Sequence, residues 1–360
     1  MKIFIRADGG NEIGLGHIMR MLVLAKELSK SNEVIFLCKS SRVENKIKKI
    51  NFDENIFNFE NDKFKTGMQK VRENGFEVFS IREKSVIEDI IDLQKKYEAD
   101  LIITDSYDVD EEYFNKIKYY FKLTGYMDDV NKCKMNVDFI INQNINASDM
   151  NYEPNINKDT KLFLGTKYCL LRDEFRENYR KKQVKEKAED VLLTLGGMDK
   201  DYNTIRILNE IQVVDVNIHV IVGSAFDEKL IEEIYKLSKK TPNIRVYENA
   251  NMSVLMKKCD IAISACGSTL YELCAMNVPI IGLILADNQQ MAAEKMKEKS
   301  LLVEFYYIDE LKEANIECCL NTLINDRNLR NNAINNQCNV VNSNGVKVLI
   351  NEIKKYYHLI

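Results

Sequence analysis

Short apolar segments alternate with longer amphipathic patterns along the first half of the chain. The apolar segments predict β-strands at residues 3–5, 34–37, 101–104 and 139–142. The segment 17–30 predicts a helix, because its apolar side chains recur at intervals of three and four positions. The strand segments are apolar on both faces rather than on alternate positions, which is typical of a parallel sheet covered by helices on both sides. The first half therefore predicts an open, doubly wound α/β domain.

The alternation restarts after a polar stretch at residues 146–158. Further strands are predicted at 191–195, 218–222, 261–264 and 280–283, and helices at 202–211, 227–239 and 289–299. The charged run 176–189 predicts a solvated helix or a connector, and the last fifty residues predict helices with an Asn-rich surface. The sequence thus predicts an α/β fold of two doubly wound, Rossmann-like domains, residues 1–155 and 156–360, that face each other across a cleft. The ligand is expected at the carboxyl ends of the strands.

The charge balance of the chain argues against nucleic acid and membranes as its binding partners. The chain has 360 residues, with 51 Lys and Arg against 55 Asp and Glu, so its formal net charge is −4. This balance gives no overall field that would attract nucleic acid or an anionic membrane. No apolar run reaches the roughly 18 residues of a membrane span. The first residues also lack the apolar core of a signal peptide.

Cysteine and histidine usage exclude further classes. The nine cysteines are scattered without CxxC pairs, which is typical of reduced thiols in the cytoplasm. Only three histidines are present, too few for a histidine-rich metal centre. We therefore expect a cytoplasmic, monomeric protein that takes a small molecule, with no metal and no other cofactor.

A glycine-rich loop follows the first predicted strand and leads into the first predicted helix. It reads RADGGNEIGLGH from Arg6 to His17 and includes Asp8, Gly14 and Gly16. Glycines here permit positive φ or a close approach of the backbone, and a helix N-terminus offers N–H groups to an anion. An imidazole at the rim of a ligand cleft can act as a general base. The alternative is a simple turn capped by His17. The loop is not a dinucleotide fingerprint, because the third glycine of GxGxxG is missing.

Two small-residue turns in the second half have a similar setting between strand and helix. Gly196 and Gly197 suit either a phosphate-binding loop or a tight turn. Gly267, Ser268 and Thr269 would present backbone amides and hydroxyls to a diphosphate. Both turns are therefore candidates for binding a phosphorylated ligand.

Further polar residues follow these turns. Glu272 could accept hydrogen bonds from ribose hydroxyls, or it could form a capping box with Ser268 or Thr269. Asn288 follows a predicted strand and could contact sugar hydroxyls or a phosphate. A helix cap formed by Asp287 or Asn288 is the alternative.

Carboxylates and hydroxyls also follow two strands of the first domain. Asp105 and Tyr107 follow one strand, and Asp128 and Asp129 follow another, so these side chains are expected to bind sugar hydroxyls or to cap helices. Three other residues are predicted to have no role in the site: Cys266 as a small buried hydrophobe, His219 inside an apolar strand, and His358 near the C-terminus.

Several ordered segments resemble a known family. They are IRADGGNEIGLGHIMRMLVLAKEL, GTKYCLLRDEF, LTLGGMD, SACGSTLYELC and LADNQQ, together with DSY at 105–107, MDD at 127–129 and NQN at 142–144. They are similar to the UDP-2,4-diacetamido-2,4,6-trideoxy-β-L-altropyranose hydrolases of pseudaminic acid biosynthesis. The similarity extends from residue 1 to about residue 300.

The resemblance implies a GT-B-like fold and metal-independent hydrolysis of the anomeric C–O bond, with inversion and release of UDP. It implies that His17 is the general base and that Tyr107 and Asn288 contact the substrate. Glu174 is a further substrate contact or merely a solvated carboxylate. The predicted UDP site comprises Gly196, Gly197, Gly267, Ser268, Thr269 and Glu272. The predicted substrate-binding set is completed by Arg6, Asp8, Gly14 and Gly16.

The chain departs from the family pattern at a few positions. The family usually has SLGGSD where this chain has Thr194 and Met198, and AGGST where this chain has Cys266. Asp287 interrupts the family's ANQ motif. These changes leave the UDP motifs intact but leave the identity of the sugar open.

Other functions are compatible with the same motifs. A glycosyltransferase would use the same UDP site with a sugar or lipid acceptor, and a UDP-sugar epimerase would proceed through elimination. A nucleotide-sugar-binding protein would need no base at position 17. Release of UDP without any acceptor distinguishes a hydrolase from the transferase and from the binding protein.

Overall fold

Two separate sheets organise the chain in the computed structural model, which describes residues 1–10, 13–41, 48–50, 62–176, 183–310, 316–338 and 340–357. The chain divides into unit 1, made of Met1–Leu170 and Asn344–Ile360, and unit 2, made of Leu171–Ser343. Each unit contains one predominantly parallel sheet. The predicted class, α/β with two doubly wound Rossmann-like domains, is confirmed.

Unit 1 is built on an eight-stranded sheet. Its strands are β1 (Lys2–Ala7), β2 (Glu33–Ser40), β3 (Lys48–Ile50), β4 (Glu77–Arg82), β5 (Leu101–Asp105), β6 (Leu123–Met127), β7 (Phe139–Asn142) and β8 (Lys161–Leu164). Their spatial order is β3-β4-β2-β1-β5-β6-β7-β8, and only β3 runs antiparallel to its neighbour. The four strands predicted in the first half are confirmed as parts of β1, β2, β5 and β7.

Helices pack on both faces of this sheet. They are α1 (Gly16–Leu28), α2 (Lys65–Glu73), α3 (Val86–Tyr97), α4 (Glu111–Tyr120) and, from the C-terminal part of the chain, α13 (Gly345–Tyr357). Ile3 and Ile5 share a core with α1, α2 and α13, whereas Phe4 packs with α3 and α4. Because consecutive strand side chains point to opposite faces, an uninterrupted apolar strand serves both cores.

The order of the strands defines where unit 1 can bind a ligand. From β1 the sheet first grows through β2 to β4, and it then restarts on the other side of β1 with β5. In open α/β sheets, ligands bind at the carboxyl ends of the strands where the direction of growth reverses. The ends of β1 and β5 flank this point: Asp105 is the last residue of β5, and His17 lies at the start of α1, after the loop that follows β1.

Unit 2 has a six-stranded, all-parallel sheet. Its strands are β9 (Asp190–Thr194), β10 (Asn217–Val222), β11 (Ile244–Glu248), β12 (Ile261–Ala265), β13 (Ile280–Ile284) and β14 (Glu304–Tyr307), in the order β11-β10-β9-β12-β13-β14. The direction of growth reverses between β9 and β12. The loops after these two strands contain the glycine turns at 196–197 and 267–269, so both predicted phosphate-binding turns flank one reversal point.

The helices of unit 2 are α5 (Asp173–Arg176), α6 (Asn203–Ile211), α7 (Glu228–Lys240), α8 (Met252–Lys258), α9 (Thr269–Ala275), α10 (Gln290–Glu298), α11 (Ile316–Asn325) and α12 (Arg327–Gln337). The predicted helices at 202–211, 227–239 and 289–299 are confirmed within one or two residues. In the charged run 176–189, residues 177–182 lie outside the described residues, and residues 183–189 form a connector without a helix.

The predicted domain boundary after residue 155 is wrong in two respects. Residues 156–170 belong to unit 1, because β8 adds to the sheet of unit 1 beside β7. Residues 344–357 also belong to unit 1, because Val346 and Leu349 on α13 are fully buried in its core. Unit 1 is therefore discontinuous in sequence.

The sequence predicted reduced cysteines and no membrane-spanning segment. None of the nine cysteines, all of which lie in the described part of the chain, forms a disulfide. Among the described helices, none combines the length and the apolar character needed to cross a bilayer.

Candidate active site

The loop after β1 is held in a tight bend by its own backbone. Gly10 and Gly14 exchange two hydrogen bonds, with N–O distances of 3.0 and 2.9 Å. Gly14 has a φ of +74°, in the left-handed region that glycine adopts without strain. The bend leads into α1, where Gly16 is the first residue and His17 the second. Residues 11 and 12 of this loop lie outside the described residues.

His17 forms a hydrogen bond with the carboxylate at the end of β5. Its Nδ1 lies 2.5 Å from Oδ1 of Asp105, which is fully buried. An ionised carboxylate can only accept, so Nδ1 carries the proton and donates it. The imidazole lone pair is then on Nε2, which forms no hydrogen bond with any residue in the described ranges. With 13% of its side chain exposed, His17 can act as a base oriented by a buried carboxylate.

Arg20 lies one helical turn after His17 and binds two carboxylates. Its Nε and Nη2 donate to Asp105 at 2.6 Å each, and its Nη1 donates to both oxygens of Asp129 at 3.0 and 2.8 Å. Burial alone would raise the pKa of Asp105, but the charges of Arg20 and His17 reverse this effect and bring that pKa well below its usual range. Asp105 therefore remains ionised beside His17.

Tyr107 lies between the base and the second carboxylate. Its hydroxyl donates to Oδ2 of Asp129 at 2.7 Å, and its ring meets the ring of His17 edge to face with 4.7 Å between centroids. Burial and the charge of Asp129 raise the pKa of Tyr107 well above its usual range, so the hydroxyl stays protonated. Asn144, after β7, donates to Oδ1 of Asp129 at 2.9 Å. Four strand ends thus contribute to one cluster.

Arg6 and Asp8 form a buried ion pair beneath the loop. Nη2 of Arg6 lies 3.0 Å from Oδ2 of Asp8, and the two residues are 0% and 3% exposed. The guanidinium carbon lies 5.7 Å from the ring centre of Tyr113, and Oδ1 of Asp8 accepts from the backbone N–H of Lys39 at 2.8 Å. These contacts fix the end of β1. A direct contact of either residue with substrate stays a prediction.

In unit 2, the first glycine turn follows β9. Gly196 has a φ of +95°, again in the left-handed region that favours glycine. Asp199 accepts hydrogen bonds from the N–H groups of Asn203 and Thr204 at 2.9 and 2.7 Å. The first amides of α6 are therefore satisfied by a carboxylate of the same chain. A phosphate would have to use the glycine turn itself rather than the start of α6.

The second turn follows β12 and precedes α9. Ser268 occupies the N-cap position, but its side chain forms no capping hydrogen bond, and Thr269 is already the first residue of the helix. The capping-box alternative is therefore wrong. Ser268 is exposed, and Gly267 and Thr269 are half-buried, which leaves this turn accessible to a ligand.

Glu272 is bound by Arg172, the first residue of the RDEF segment at residues 172–175. Nε and Nη2 of Arg172 donate to its two carboxylate oxygens at 2.8 and 3.0 Å. Nη1 of Arg172 lies 2.8 Å from Oε1 of Glu174, whose Oε2 accepts from the backbone N–H of Ser253 at 3.2 Å. The alternative that Glu174 is merely a solvated carboxylate is therefore wrong. One guanidinium connects the start of α5 with α9 and, through Glu174, with α8.

Asn288 is exposed in a short 3-10 helix, Asp287–Gln289, after β13. No side chain caps this helix or the start of α10, where Gln289 holds the N-cap position. The alternative that Asp287 or Asn288 serves as a helix cap is therefore wrong. Substrate binding by Asn288 stays a prediction.

The three residues predicted to have no role in the site have different outcomes. His219 is fully buried, with Nε2 2.8 Å from Asp190 and Nδ1 2.9 Å from the hydroxyl of Tyr247, so it is the core histidine expected. Cys266 is 3% exposed, and burial raises the pKa of its thiol to about 12, as expected of a buried hydrophobe. His358 lies outside the described residues.

The predicted site residues fall into two groups. Unit 1 holds Arg6, Asp8, Gly14, Gly16, His17 and Tyr107, and unit 2 holds Glu174, Gly196, Gly197, Gly267, Ser268, Thr269, Glu272 and Asn288. Arg20 and Asn144 were not among the predicted site residues. Asp105 was expected to bind sugar hydroxyls or to cap a helix, whereas in the structure it is the partner of His17. The spacing of three residues between His17 and Arg20 on one helix face could have indicated Arg20.

Comparison with known sequences extends over most of the chain. It is 28% identical over 326 residues to an uncharacterized protein of Methanocaldococcus jannaschii, which covers 86% of this chain and 62% of that protein. It is 24% identical over 310 residues to the UDP-2,4-diacetamido-2,4,6-trideoxy-beta-L-altropyranose hydrolase of Campylobacter jejuni, covering 85% of this chain and all of that enzyme. The chain is a relative of these hydrolases.

Other comparisons add to this relationship. The spore coat polysaccharide biosynthesis protein SpsG of Bacillus subtilis is 25% identical over 311 residues, which cover 84% of this chain and 83% of that protein. The chain spans less than two thirds of the length of the archaeal relative. No known family model matches the chain.

Several solved structures share the fold of this chain. MurG of Acinetobacter baumannii superposes with a TM-score of 0.65 at 12% identity, covering 98% of this chain and 99% of that one. The calicheamicin glycosyltransferase CalG4 gives a TM-score of 0.62 at 13% identity, with 99% and 98% covered. At these identities the comparison concerns the fold alone, and it confirms the predicted GT-B class.

Proposed function

We propose that this chain hydrolyses a UDP-linked diacetamido-trideoxy-hexose at its anomeric C–O bond and releases UDP and the free sugar. The observation that carries the proposal is the pair of His17 and Asp105 at the reversal point of the sheet in unit 1, with Nε2 of His17 open for a proton. The relative of C. jejuni, which is matched over its whole length and bears the name of this activity, supports it.

His17 would activate the attacking water. Nε2 takes a proton from water while the oxygen forms a bond to the anomeric carbon, and the bond between that carbon and the β-phosphate oxygen breaks. The electron pair of the broken bond leaves with UDP. Because water attacks from the side opposite UDP, the configuration at this carbon inverts. A positioned general base of this kind contributes roughly 10²- to 10⁴-fold to the rate.

Unit 2 would bind UDP. The turns with Gly196, Gly197 and Gly267 expose backbone near the carboxyl ends of β9 and β12, where anionic ligands bind in such sheets. Hydrogen bonds from these amides, and from Ser268 and Thr269, would stabilise the charge that develops on the leaving diphosphate. Glu272, oriented by Arg172, would accept hydrogen bonds from the ribose hydroxyls.

The remaining predicted contacts would bind the sugar. Tyr107 lies beside the imidazole and donates its hydroxyl proton to Asp129. Its hydroxyl oxygen would accept a hydrogen bond from a sugar hydroxyl or an N-acetyl N–H. Gly14 and Gly16 would let the sugar approach the backbone of the loop. Asn288 would contribute its side-chain amide. The buried Arg6–Asp8 pair would hold the end of β1, and with it the start of the loop, in place.

The proposed reaction uses no metal ion, as the resemblance to the hydrolase family implies. Stabilisation of the leaving diphosphate is assigned instead to amides and hydroxyls of the two turns in unit 2.

The test is release of UDP from a panel of UDP-sugars, with EDTA present and no acceptor. The panel includes the diacetamido-trideoxy-altrose donor and UDP-N-acetylglucosamine. We expect UDP to be released from the diacetamido-trideoxy-altrose donor, at a rate that EDTA does not change. Full inhibition by EDTA, restored by a divalent metal, would overturn the metal-independent mechanism.

The same assay separates the rival function. A GT-B glycosyltransferase would bind UDP yet release none until a sugar or lipid acceptor is added. UDP binding without release from any donor would therefore reject the hydrolase in favour of the transferase or a binding protein.

A further inference from the structure

Five side chains of unit 1 form a closed ring of contacts, which we call the Arg20 ring. It runs from His17 to Asp105 (2.5 Å), from Asp105 to Arg20 (2.6 Å), from Arg20 to Asp129 (2.8 Å), from Asp129 to Tyr107 (2.7 Å) and back to His17 by ring stacking (4.7 Å between centroids). His17 and Arg20 lie on α1, Asp105 is the last residue of β5, and Tyr107 and Asp129 follow β5 and β6. Each member therefore touches at least two others.

Arg20 is the only cation of this ring while His17 is neutral. Asp105 and Asp129 are 0% and 6% exposed, and Nε, Nη1 and Nη2 of Arg20 are all used to bind them. Two buried carboxylates that share one site cannot both stay ionised without a compensating charge, so loss of the guanidinium would drive a proton onto one of them.

The location of that proton determines the state of His17. A proton added to the His17–Asp105 pair is shared along the contact between Nδ1 and Asp105, and in either arrangement Nε2 of His17 is then protonated, because imidazole is ordinarily more basic than a carboxylate. His17 would lose its capacity to take a proton from water. In related dyads the wrong imidazole tautomer lowers the turnover number by about 10⁴-fold.

We propose that Arg20 is a positioning residue that holds Asp105 as a carboxylate and so keeps the accepting nitrogen of His17 at Nε2, while it anchors Tyr107 through Asp129. Arg20 itself touches neither the water nor the sugar. The catalytic consequence rests on the proposed hydrolase function, but the tautomer of His17 does not.

The first experiment reads the tautomer directly. With three histidines in the chain, ¹⁵N-histidine labelling gives a simple NMR spectrum that substitution of each histidine assigns. His219 donates to Asp190 through Nε2 and so provides an internal reference of the opposite tautomer. We expect protonated Nδ1 at His17 in the wild-type protein and protonated Nε2 in Arg20→Met.

The matched control removes a comparable guanidinium elsewhere in unit 1. Arg82 donates from Nε to both oxygens of the buried Asp89, at 3.0 and 3.1 Å, and within the described residues it does not contact the Arg20 ring. Arg82→Met should leave the tautomer of His17 unchanged. Protonated Nε2 at His17 in the wild-type protein, or an unchanged tautomer in Arg20→Met, would overturn the proposal.

The second experiment measures the pH profile of UDP release. The titratable groups that face the guanidinium are His17 on its own helix, Asp105 and Tyr107 after β5, and Asp129 after β6. We expect Arg20→Met to lower kcat by about 10²- to 10⁴-fold and to move the acid limb to higher pH, since a carboxylate without Arg20 takes up its proton at higher pH. A lower kcat with an unmoved acid limb would indicate a merely structural role and reject the proposal.

A double variant keeps the test decisive if Arg20→Met does not fold. Arg20→Met combined with Asp129→Asn removes one positive and one negative charge, so Asp105 remains as a single carboxylate. We expect His17 to be protonated at Nδ1 alone in this double variant. Protonated Nε2 in this double variant would contradict the charge argument. If wild-type protein releases no UDP from any donor, the proposed function fails while the NMR result still decides the role of Arg20.

Discussion

At the scale of single residues, His17 combines two functions that can be separated. Nδ1 forms the hydrogen bond with Asp105 that orients the ring, and Nε2 is the nitrogen proposed to accept the proton of water. Asparagine can replace the first function but not the second, because its amide nitrogen can still donate to Asp105 while it offers no group that takes a proton at neutral pH. His17→Asn therefore tests the base with little disturbance of the fold.

We expect His17→Asn to lower kcat for UDP release by at least 10²-fold and to change the Kd for UDP by less than twofold. The reason is that the proposed UDP contacts all lie in unit 2. Steady-state kinetics and calorimetric titration with UDP measure the two quantities. Wild-type activity in this variant would reject His17 as the base, and a large loss of UDP affinity would indicate that the substitution disturbs more than the base.

The sequence predicted His17 and its glycine loop but not the residues that orient them. His17 belongs to a local motif, whereas its partner Asp105 lies 88 positions away and is brought close only by the pairing of β1 with β5. Asp129 and Asn144 arrive from two further strands. A residue at a strand end can be identified as a candidate from sequence, but its partner depends on the order of the strands.

At the scale of elements, the RDEF segment acts as a connection between helices. Arg172 orients Glu272 on α9 through two hydrogen bonds and also binds Glu174. Burial lowers the pKa of Arg172, but the two carboxylates more than offset this effect and leave that pKa raised. If Glu272 accepts from the ribose, removal of Arg172 frees its carboxylate to rotate. The effect should depend on the ribose hydroxyls of the ligand.

We expect Arg172→Met to weaken binding of UDP by about 10- to 100-fold, the value of one or two charged hydrogen bonds. Binding of 2′,3′-dideoxy-UDP should be equally weak in the variant and in the wild-type protein. Arg176→Met is the matched control, because Arg176 ends the short helix α5 that follows Arg172 and pairs with Asp173 and with the carbonyl of Leu171. Equal losses for both ligands would refute the contact between Glu272 and ribose.

The strands that sequence patterning did not predict include those at the edges of the sheets. β8, β11 and β14 carry Lys, Arg or Glu and are only partly buried, so they lack an apolar run. Central strands such as β1 and β12 are covered on both faces and produce continuous apolar segments. Patterning therefore identified the strands that flank both reversal points and missed those that complete the sheets.

At the scale of the whole molecule, the chain crosses between its units twice. It leaves unit 1 after Leu170 and returns at Asn344. Sequence patterning placed the last residues with the second domain, because a helical pattern gives no information on which sheet the helix covers. The apolar face of α13 is required by unit 1, where it shares a core with Ile3 and α1.

This return of the chain makes the stability of unit 1 depend on its C-terminal helix. Leu349 is fully buried on α13, so Leu349→Ala removes apolar contacts and leaves a cavity, at a cost of about 2–5 kcal/mol. Hydrogen exchange measured by mass spectrometry should become faster by about 10²-fold or more in peptides from β1 and α1, and it should stay unchanged in peptides from β9. Lys355→Ala, an exposed position on the same helix, should change the exchange rates of neither set of peptides.

Faster exchange confined to α13 would mean that the helix frays alone, and faster exchange in β9 would mean that the units unfold together. Either result would contradict a unit 1 that folds as one body from both ends of the chain.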